Sequence, residues 1–511
     1  MEFILLALNE PLSFCKLSKQ PKPYFYLFLF VLLCLSFSCK KKKESPFVQG
    51  SELPEIKGLK YMHEWKLAST PLYQYDLFPE SDAGSGLGFR KNVAKSAWYN
   101  IDPLFDFRSE LLPPNITPDE LSNHFVRKVY RTEVWPYLGI PIGERDPALI
   151  LNMVFYPDVR GPYNYDAAPT AFSSGLAADG TLLDPASRWG GVTCNIEDHI
   201  SQLKNSDNPD NWTLDFILMD PFVYEPNHSG GDMYIQLGLI SEDILRDGRT
   251  SAESGLPTTS IVTDIDSTIW GRVPNAAFSP PDFNNNSATR PFQDVGLDGL
   301  NNDDERLFFQ DNFLQVIASL YGNSSEAYQL AYEDVSADDF QYFRSTEYDY
   351  NNGSILERYR RFNGMDGNSP TVEQTNESYP VAASQRPDRE DFSQAGMLQQ
   401  TEKYFQYKIS LRPDDLVYNQ NYIIDIQEAR NIPLPNGYSG ESRWYYFSIP
   451  IQSPDRAIIG GAPSVEDYRF IRLIYKNFEQ TIVCRFAAFQ IVVDDESRPV
   501  FDFTGSPDPM P

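Results

Sequence analysis

The chain has 511 residues, 41% hydrophobic and 14% aromatic, enough for a sizeable core in one large β domain or a few ordinary ones. Its formal charge of −28 gives a body that repels phosphate backbones, which excludes nucleic acid as an expected partner. The 30 Tyr and 34 Phe favour strands, and the 39 Pro and 30 Gly supply many loops.

Residues 24–37 read YFYLFLFVLLCLSF, an apolar run that follows Lys16, Lys19 and Lys22. It falls short of the roughly 20 residues that span a membrane and fits the core of a secretory leader. The run ends in LSFSC, a lipobox-like sequence with a bulky Phe37. Residues 1–38 are therefore expected to be a lipoprotein signal peptide, with Cys39 the acylated N-terminus. An uncut anchor or an ordinary secretory leader is the alternative. Two or more acyl chains anchor stably, and Lys40, Lys41, Lys42 and Lys43 would add attraction to anionic headgroups. The expected location is the outer membrane, on either face. Residues 39–55 read as a tether, 56–495 as a β-sandwich body and 496–511 as a loose tail.

Within the body, TPDELSNHFVRKVY places Glu120 three residues after Thr117, a capping-box pattern that predicts a short helix over 118–130. LILNMVF at 149–155 predicts a strand. The stretch 212–249 organises the rest. Trp212, Leu214, Phe216, Leu218 and Phe222 share one parity, and Met233, Ile235, Leu237 and Leu239 share another. A period of two puts each set on one face of a strand. Gly230 and Gly231 permit a reversal between them, so the stretch predicts a hairpin at the centre of a sandwich. Two separate core strands would satisfy the pattern as well. ISEDILRD at 240–247 predicts one or two helical turns.

QDVGLDGLNNDDERLFF matches part of a calcium-binding EF-hand loop. Asp294 falls at position 1, Asp298 at 5, Gly299 at 6, Asn302 at 9 and Glu305 at 12. Gly296 at position 3 offers no side-chain ligand, and no helix pattern precedes the loop. Calcium and a solvated acidic turn are both open; no other cofactor is expected. Residues 308–332 predict helix broken at Gly322. Arg344, Arg358, Arg360 and Arg361 lie among acids and aromatics, which predicts ion pairs and cation–π packing. EKYFQYKISLRP, NYIIDIQ, RWYYFSIPI, YRFIRLIYKNF and TIVCRFAAFQIVV then alternate, separated by turn residues. The expected fold is mainly β with a few short helices, a jelly-roll-like β-sandwich with long loop insertions.

Cys194 and Cys484 are the only cysteines of the body, and an oxidising compartment would permit a disulfide between them. His63, His124, His199 and His228 are isolated, and no nucleophile elbow, phosphate loop or zinc motif appears. An acid-pair hydrolase has no pair singled out among 71 acids. The expected function is non-enzymatic.

The series YPDVRGPYNYD, RWGG, DFILMDPF, DMYIQLGLISEDILRDGR, WGRVP, FQDVGLDGL, DDFQYFRSTEYD, ILERYRRFNG, TEKYFQYKISLRP and WYYFSIPI resembles, in this order, the N-terminal module of the SprA family. The resemblance spans about residues 90–495. SprA proteins serve gliding motility and type IX secretion at the outer membrane, where this module precedes a very large β-barrel. The sequence given stops at Pro511 without one. The resemblance implies a lipid-anchored module that contacts an envelope or secretion-machinery protein, such as a SprA-type barrel. It names no catalytic residues. Arg160, Gly161, Trp189, Asp220, Glu242, Asp243, Trp270, Arg272, Asp294, Asp298, Glu347, Glu357 and Arg358 fit turn-making and buried pairing. The alternative is a surface glycan-binding lipoprotein, with Trp189, Tyr163 and Tyr165 stacking on sugar rings.

Overall fold

The computed structural model describes residues 59–492, apart from 85, 137–145, 204–208, 277–278, 363–366, 372, 375–382, 385 and 394–395. The leader, Cys39, the tether and the tail lie outside the described residues.

The period-two segments form two antiparallel sheets. One contains, in spatial order, β1 (Trp65–Leu67), β4 (Trp189–Asn195), β13 (Phe470–Lys476), β6 (Gly231–Leu239), β9 (Lys403–Leu411) and β12 (Ala457–Ile459). The other contains β10 (Ile423–Pro433), β11 (Ser439–Pro450), β5 (Thr213–Met219), β14 (Ile482–Val492), β3 (Leu151–Arg160) and β2 (Ala94–Tyr99). A separate ribbon pairs β7 (Ile265–Ser267) with β8 (Arg272–Pro274). The inner strands run β4-β13-β6-β9 in one sheet and β3-β14-β5-β11 in the other. Along this inner set the chain changes sheet at every step except β6 to β9. That is the two-Greek-key order of a jelly roll, as the sequence led us to expect.

The stretch 212–249 is not a hairpin. β5 pairs with β11 and β14, whereas β6 pairs with β13 and β9. The turn between them carries the chain across the sandwich. Leu214, Phe216 and Leu218 from one side meet Met233, Ile235 and Leu237 from the other in the main core. Parity alone predicts which residues face inward; it does not distinguish strands that pair from strands that face each other.

The strands are also buried on their second faces. Ile217 and Met219 pack with Val129, Val134 and Trp444, and Tyr99 and Val154 pack with Phe343, Ile355 and Tyr359. On the other sheet the second face holds a polar strip. Arg472 pairs with Glu402 at 2.6 Å, both side chains fully buried, and donates to Gln236 Oε1.

Two predicted helices do not form. Thr117 Oγ1 accepts from the Glu120 amide, but the Glu120 carboxylate accepts from the Ile355 amide of another segment. The box is left half made, and only the 3-10 turn Glu120–Ser122 forms, followed later by the helix Arg131–Val134. Over 240–247, Asp243 accepts from the amides of Asp247 and Gly248, and Arg246 is left-handed at φ 54°. Side-chain bonds to the backbone compete with a helix here and win. The predicted break at Gly322 is present, between the helices Gln315–Tyr321 and Glu326–Glu333. Among the described residues no helix is long and apolar enough to cross a membrane.

The disulfide that Cys194 and Cys484 could form is not made: both are buried free thiols. Cys194 lies on β4 and Cys484 on β14, in opposite sheets. Stacked sheets sit about 10 Å apart, beyond the roughly 7 Å Cα separation that a bridge tolerates. Burial pushes the Cys484 thiol up to about 12.

Candidate functional site

β6 and β9 are neighbours in register, Leu239 opposite Lys403, so residues 240–402 leave one sheet edge-on and return to the same place. This insertion contains a layer of loops and short helices with an unusual number of buried acids. Most of them tie down backbone. Glu242 accepts from the amides of Ser393 and Gln399. Glu253 accepts from Val295, Gly296 and Asp388. Glu390 accepts from Leu245 and Ser251. Asp243, Asp247 and Glu390 come together in one such group. Loops without regular structure leave many amides unpaired, and Glu242, Asp243, Glu253 and Glu390 each satisfy two or three of them at once. Burial raises the acids in return: Asp243 is pushed up to about 6, and Glu253 and Glu390 rise well above the usual carboxylate range.

A second group differs. Asp298, Glu305 and Asp338 are buried and bring one carboxylate oxygen each to within 4.8 Å of the others. Asp298 sits on the turn before the helix Asn302–Phe308. Asn301 caps that helix, its side chain accepting from the amides of Asp303 and Asp304, and Glu305 falls in the first turn. Asp338 arrives from the loop after the helix Glu326–Glu333. Asp298 accepts from the Leu300 amide at 3.0 Å and the Ser336 hydroxyl at 2.6 Å. Glu305 accepts from the Ser336 amide at 3.1 Å and from Asn368 Nδ2 at 2.9 Å. Asp338 has 0% exposure, and neither of its carboxylate oxygens has a hydrogen-bond partner. Desolvation, then Asp298 and other neighbouring acids, raises Glu305, and desolvation pushes Asp298 up to about 7. Burial and the charges of Glu305 and Asp298 raise Asp338 well above the usual range.

Nearby positive charge comes from Arg160, whose guanidinium donates to the carbonyls of Asn164, Val335 and Asp334 and packs over Phe313. Its bonds thus go to backbone carbonyls. Three carboxylates that share a buried space must hold protons or bind a cation. Oxygen donors alone, with no imidazole or thiolate, suit a hard ion over zinc.

The predicted calcium loop is thereby redistributed. Asp298 and Glu305 meet as expected, but Asp294 and Asn302 turn elsewhere. Asp294 pairs with Arg290 at 3.0 Å and accepts from the Ser384 hydroxyl. Asn302 donates to Asp339, which also pairs with Arg361. Asp338 was not among the predicted ligands. One signal pointed towards it: Gly296, where an EF-hand loop has an acid. Gly296 has φ 75°, and a Cβ there would fall 2.0 Å from Asp338 Oδ2. The glycine makes room for a carboxylate supplied by another loop.

The residues proposed for sugar stacking are not available. Trp189, Tyr163 and Tyr165 are buried at 1%, 0% and 2% exposure. Trp189 Nε1 donates to Glu80, Tyr165 stacks on Phe309, and Tyr163 Oη accepts from the Leu297 amide. The insertion covers Tyr163 and Tyr165, whereas Trp189 is covered by Ala68, Phe78 and Val93 from the earlier part of the chain. Three of the four histidines serve local contacts, and His199 has a buried Nδ1 without a hydrogen-bond partner among the described residues. His228 accepts from the Gly230 amide, His124 accepts from Arg127 and is pushed down to about 4 by burial, and His63 lies beside Glu64 in solvent. The predicted pairing of the arginines is present: Arg358 with Asp349, Arg361 with Asp339, and Arg360 over Tyr156.

Fold and site together define a jelly-roll domain whose largest insertion is an acid-pinned layer that leaves from β6 and β9 and packs also on β2 and β3. Residues 312–498 match the family model SprA_N, described as motility related/secretion protein. The matched stretch runs from the helical part of the insertion through the last strand, and it supports a SprA N-terminal module with a motility- or secretion-related role in an envelope setting. The earlier part of the resemblance rests on the motifs alone. No curated protein matches the chain.

Proposed function

We propose that this chain is a non-enzymatic, lipid-anchored envelope module that works in type IX secretion or gliding motility through contacts with other proteins. The family match over 312–498 carries the reading. Two features of the fold favour contact over catalysis. The helices of the matched stretch and the one before it leave Leu307, Leu320, Leu330 and Tyr332 exposed. Apolar side chains offered by a helical layer suit a protein partner. Glu242, Asp243, Glu253 and Glu390 accept from two or three backbone amides each, which gives them a structural task.

Cys39 supplies the anchor in this reading, and Lys40 to Lys43 lie at the headgroups. The test is affinity capture of the chain from detergent-solubilised membranes, beside a Cys39→Ser variant. Recovery of a secretion- or motility-machinery protein, together with loss of membrane fractionation in the variant, is the expected result. Capture without any envelope partner would contradict the contact role. A variant that still fractionates with membranes would contradict the anchor.

A further inference from the structure

We propose that Asp298, Glu305 and Asp338 form a calcium site that locks the loop after the helix Glu326–Glu333 onto the turn before the helix Asn302–Phe308. Three observations carry this beyond the sequence pattern. The first is geometry: one oxygen from each carboxylate lies within 4.8 Å of the others, a spacing that one ion can bridge. The second is Asp338 itself. It is fully buried, belongs to this oxygen cluster, and has no hydrogen-bond partner at either oxygen. Buried carboxylates elsewhere in the insertion, such as Glu242, Glu253 and Glu390, bond to backbone amides. A buried polar group without a partner needs an explanation, and an ion is one of the few available. The third is the backbone around it. Gly296 and Gly299 have φ 75° and 67°, and a side chain at Gly296 would occupy the space of the Asp338 carboxylate.

The donor set selects the ion. All three side chains are hard oxygen donors, which favours calcium or magnesium over transition metals. Magnesium keeps several waters and demands near-octahedral geometry, whereas calcium accepts six to eight oxygens in flexible arrangements. A buried cluster with two members already bonded to Ser336 and Asn368 suits the more tolerant ion. Asp334 and Asp339 lie close to Asp338 on the same loop, their charge offset in part by Arg361, which pairs with both. The competing explanation is a proton shared among the carboxyls, which needs no metal.

The test uses the full chain purified in detergent and stripped of metal with EGTA. Equilibrium dialysis against calcium chloride is expected to return one calcium per chain. The melting temperature is expected to rise by about 3 °C at roughly one hundred times the dissociation constant. Asp338→Asn keeps the shape of the side chain and is expected to bind no calcium and show no rise. Glu390→Gln, in the other acid group, is expected to keep both. Magnesium chloride at equal concentration is expected to give a smaller rise. No calcium bound to the wild type at millimolar concentration would overturn the proposal. So would binding retained by Asp338→Asn, or an equal response to magnesium. Should Asp338→Asn fail to fold, terbium luminescence on the wild type replaces it. Emission that is quenched by calcium and weakened in Tyr163→Phe places the ion here, and emission absent or unchanged in that variant overturns the assignment.

Discussion

Two groups of buried acids, built from the same residue types in the same insertion, are used differently. In the group of Asp243, Asp247 and Glu390, Asp243 and Glu390 each accept two backbone amides, and the loops fold around those bonds. In the group of Asp298, Glu305 and Asp338, the third carboxylate accepts nothing. The difference teaches that burial and raised proton affinity do not by themselves mark a site, since both groups have them. What separates them is how far the oxygens are satisfied: Asp247 accepts from the Arg249 amide at one oxygen and has no partner at the other, whereas Asp338 has none at either.

The comparison can be broken most forcefully in the first group. Glu390→Ala leaves the amides of Leu245 and Ser251 buried without an acceptor. It is expected to lower stability by about 4 kcal/mol, with or without calcium, in denaturant unfolding. A cost below about 1 kcal/mol would mean that the carboxylate is not a structural link.

The same group should also set a pH dependence. Asp243 has a folded-state value of about 6 against an ordinary value of 3.8. The native state therefore keeps a proton that the unfolded state releases. Its contribution is largest below pH 3.8, falls as pH rises from about 4 to about 6, and is flat above. The expected loss is about 3 kcal/mol across that window, and Asp243→Asn should remove it. Stability measured in calcium-free buffer at pH 4.5, 6 and 7.5 checks the sign. A rise through that range traceable to Asp243 would contradict the account.

The smallest effect belongs to the second group without its ion. Asp338→Asn removes a buried carboxyl that must take up a proton in the calcium-free fold and is expected to raise calcium-free stability by about 1 kcal/mol. A loss of several kcal/mol in EGTA would show instead that Asp338 holds the apo fold together, as Glu390 does.

Much of the sandwich was legible. β9, β10, β11, β13 and β14 lie where alternation placed them, because their inward residues Phe405, Ile423, Phe447, Leu473 and Phe489 all feed one core. Partner choice was not legible. β5 and β6 have turn residues between them and matching parity, yet face each other across the core, since a turn of this length can span two sheets as well as join two neighbours. The helices predicted at 118–130 and 240–247 failed for one reason. Glu120, Glu242 and Asp243 found distant or non-helical backbone partners, which a local pattern does not reveal. Two of the three residues of the candidate site were readable, Asp298 and Glu305, because both lie on one turn and the helix after it. Asp338 was not, because folding brings it from another loop into the space beside Gly296.

The most direct measurement of the central claim is anomalous diffraction from crystals of the protein grown with calcium and, in parallel, with terbium. The account predicts one peak bounded by carboxylate oxygens of Asp298, Glu305 and Asp338, at calcium–oxygen distances of about 2.3–2.6 Å, and none at Asp243, Asp247 and Glu390. An empty position with Asp338 within hydrogen-bond distance of a neighbouring carboxyl would contradict it, and would assign the cluster to a shared proton.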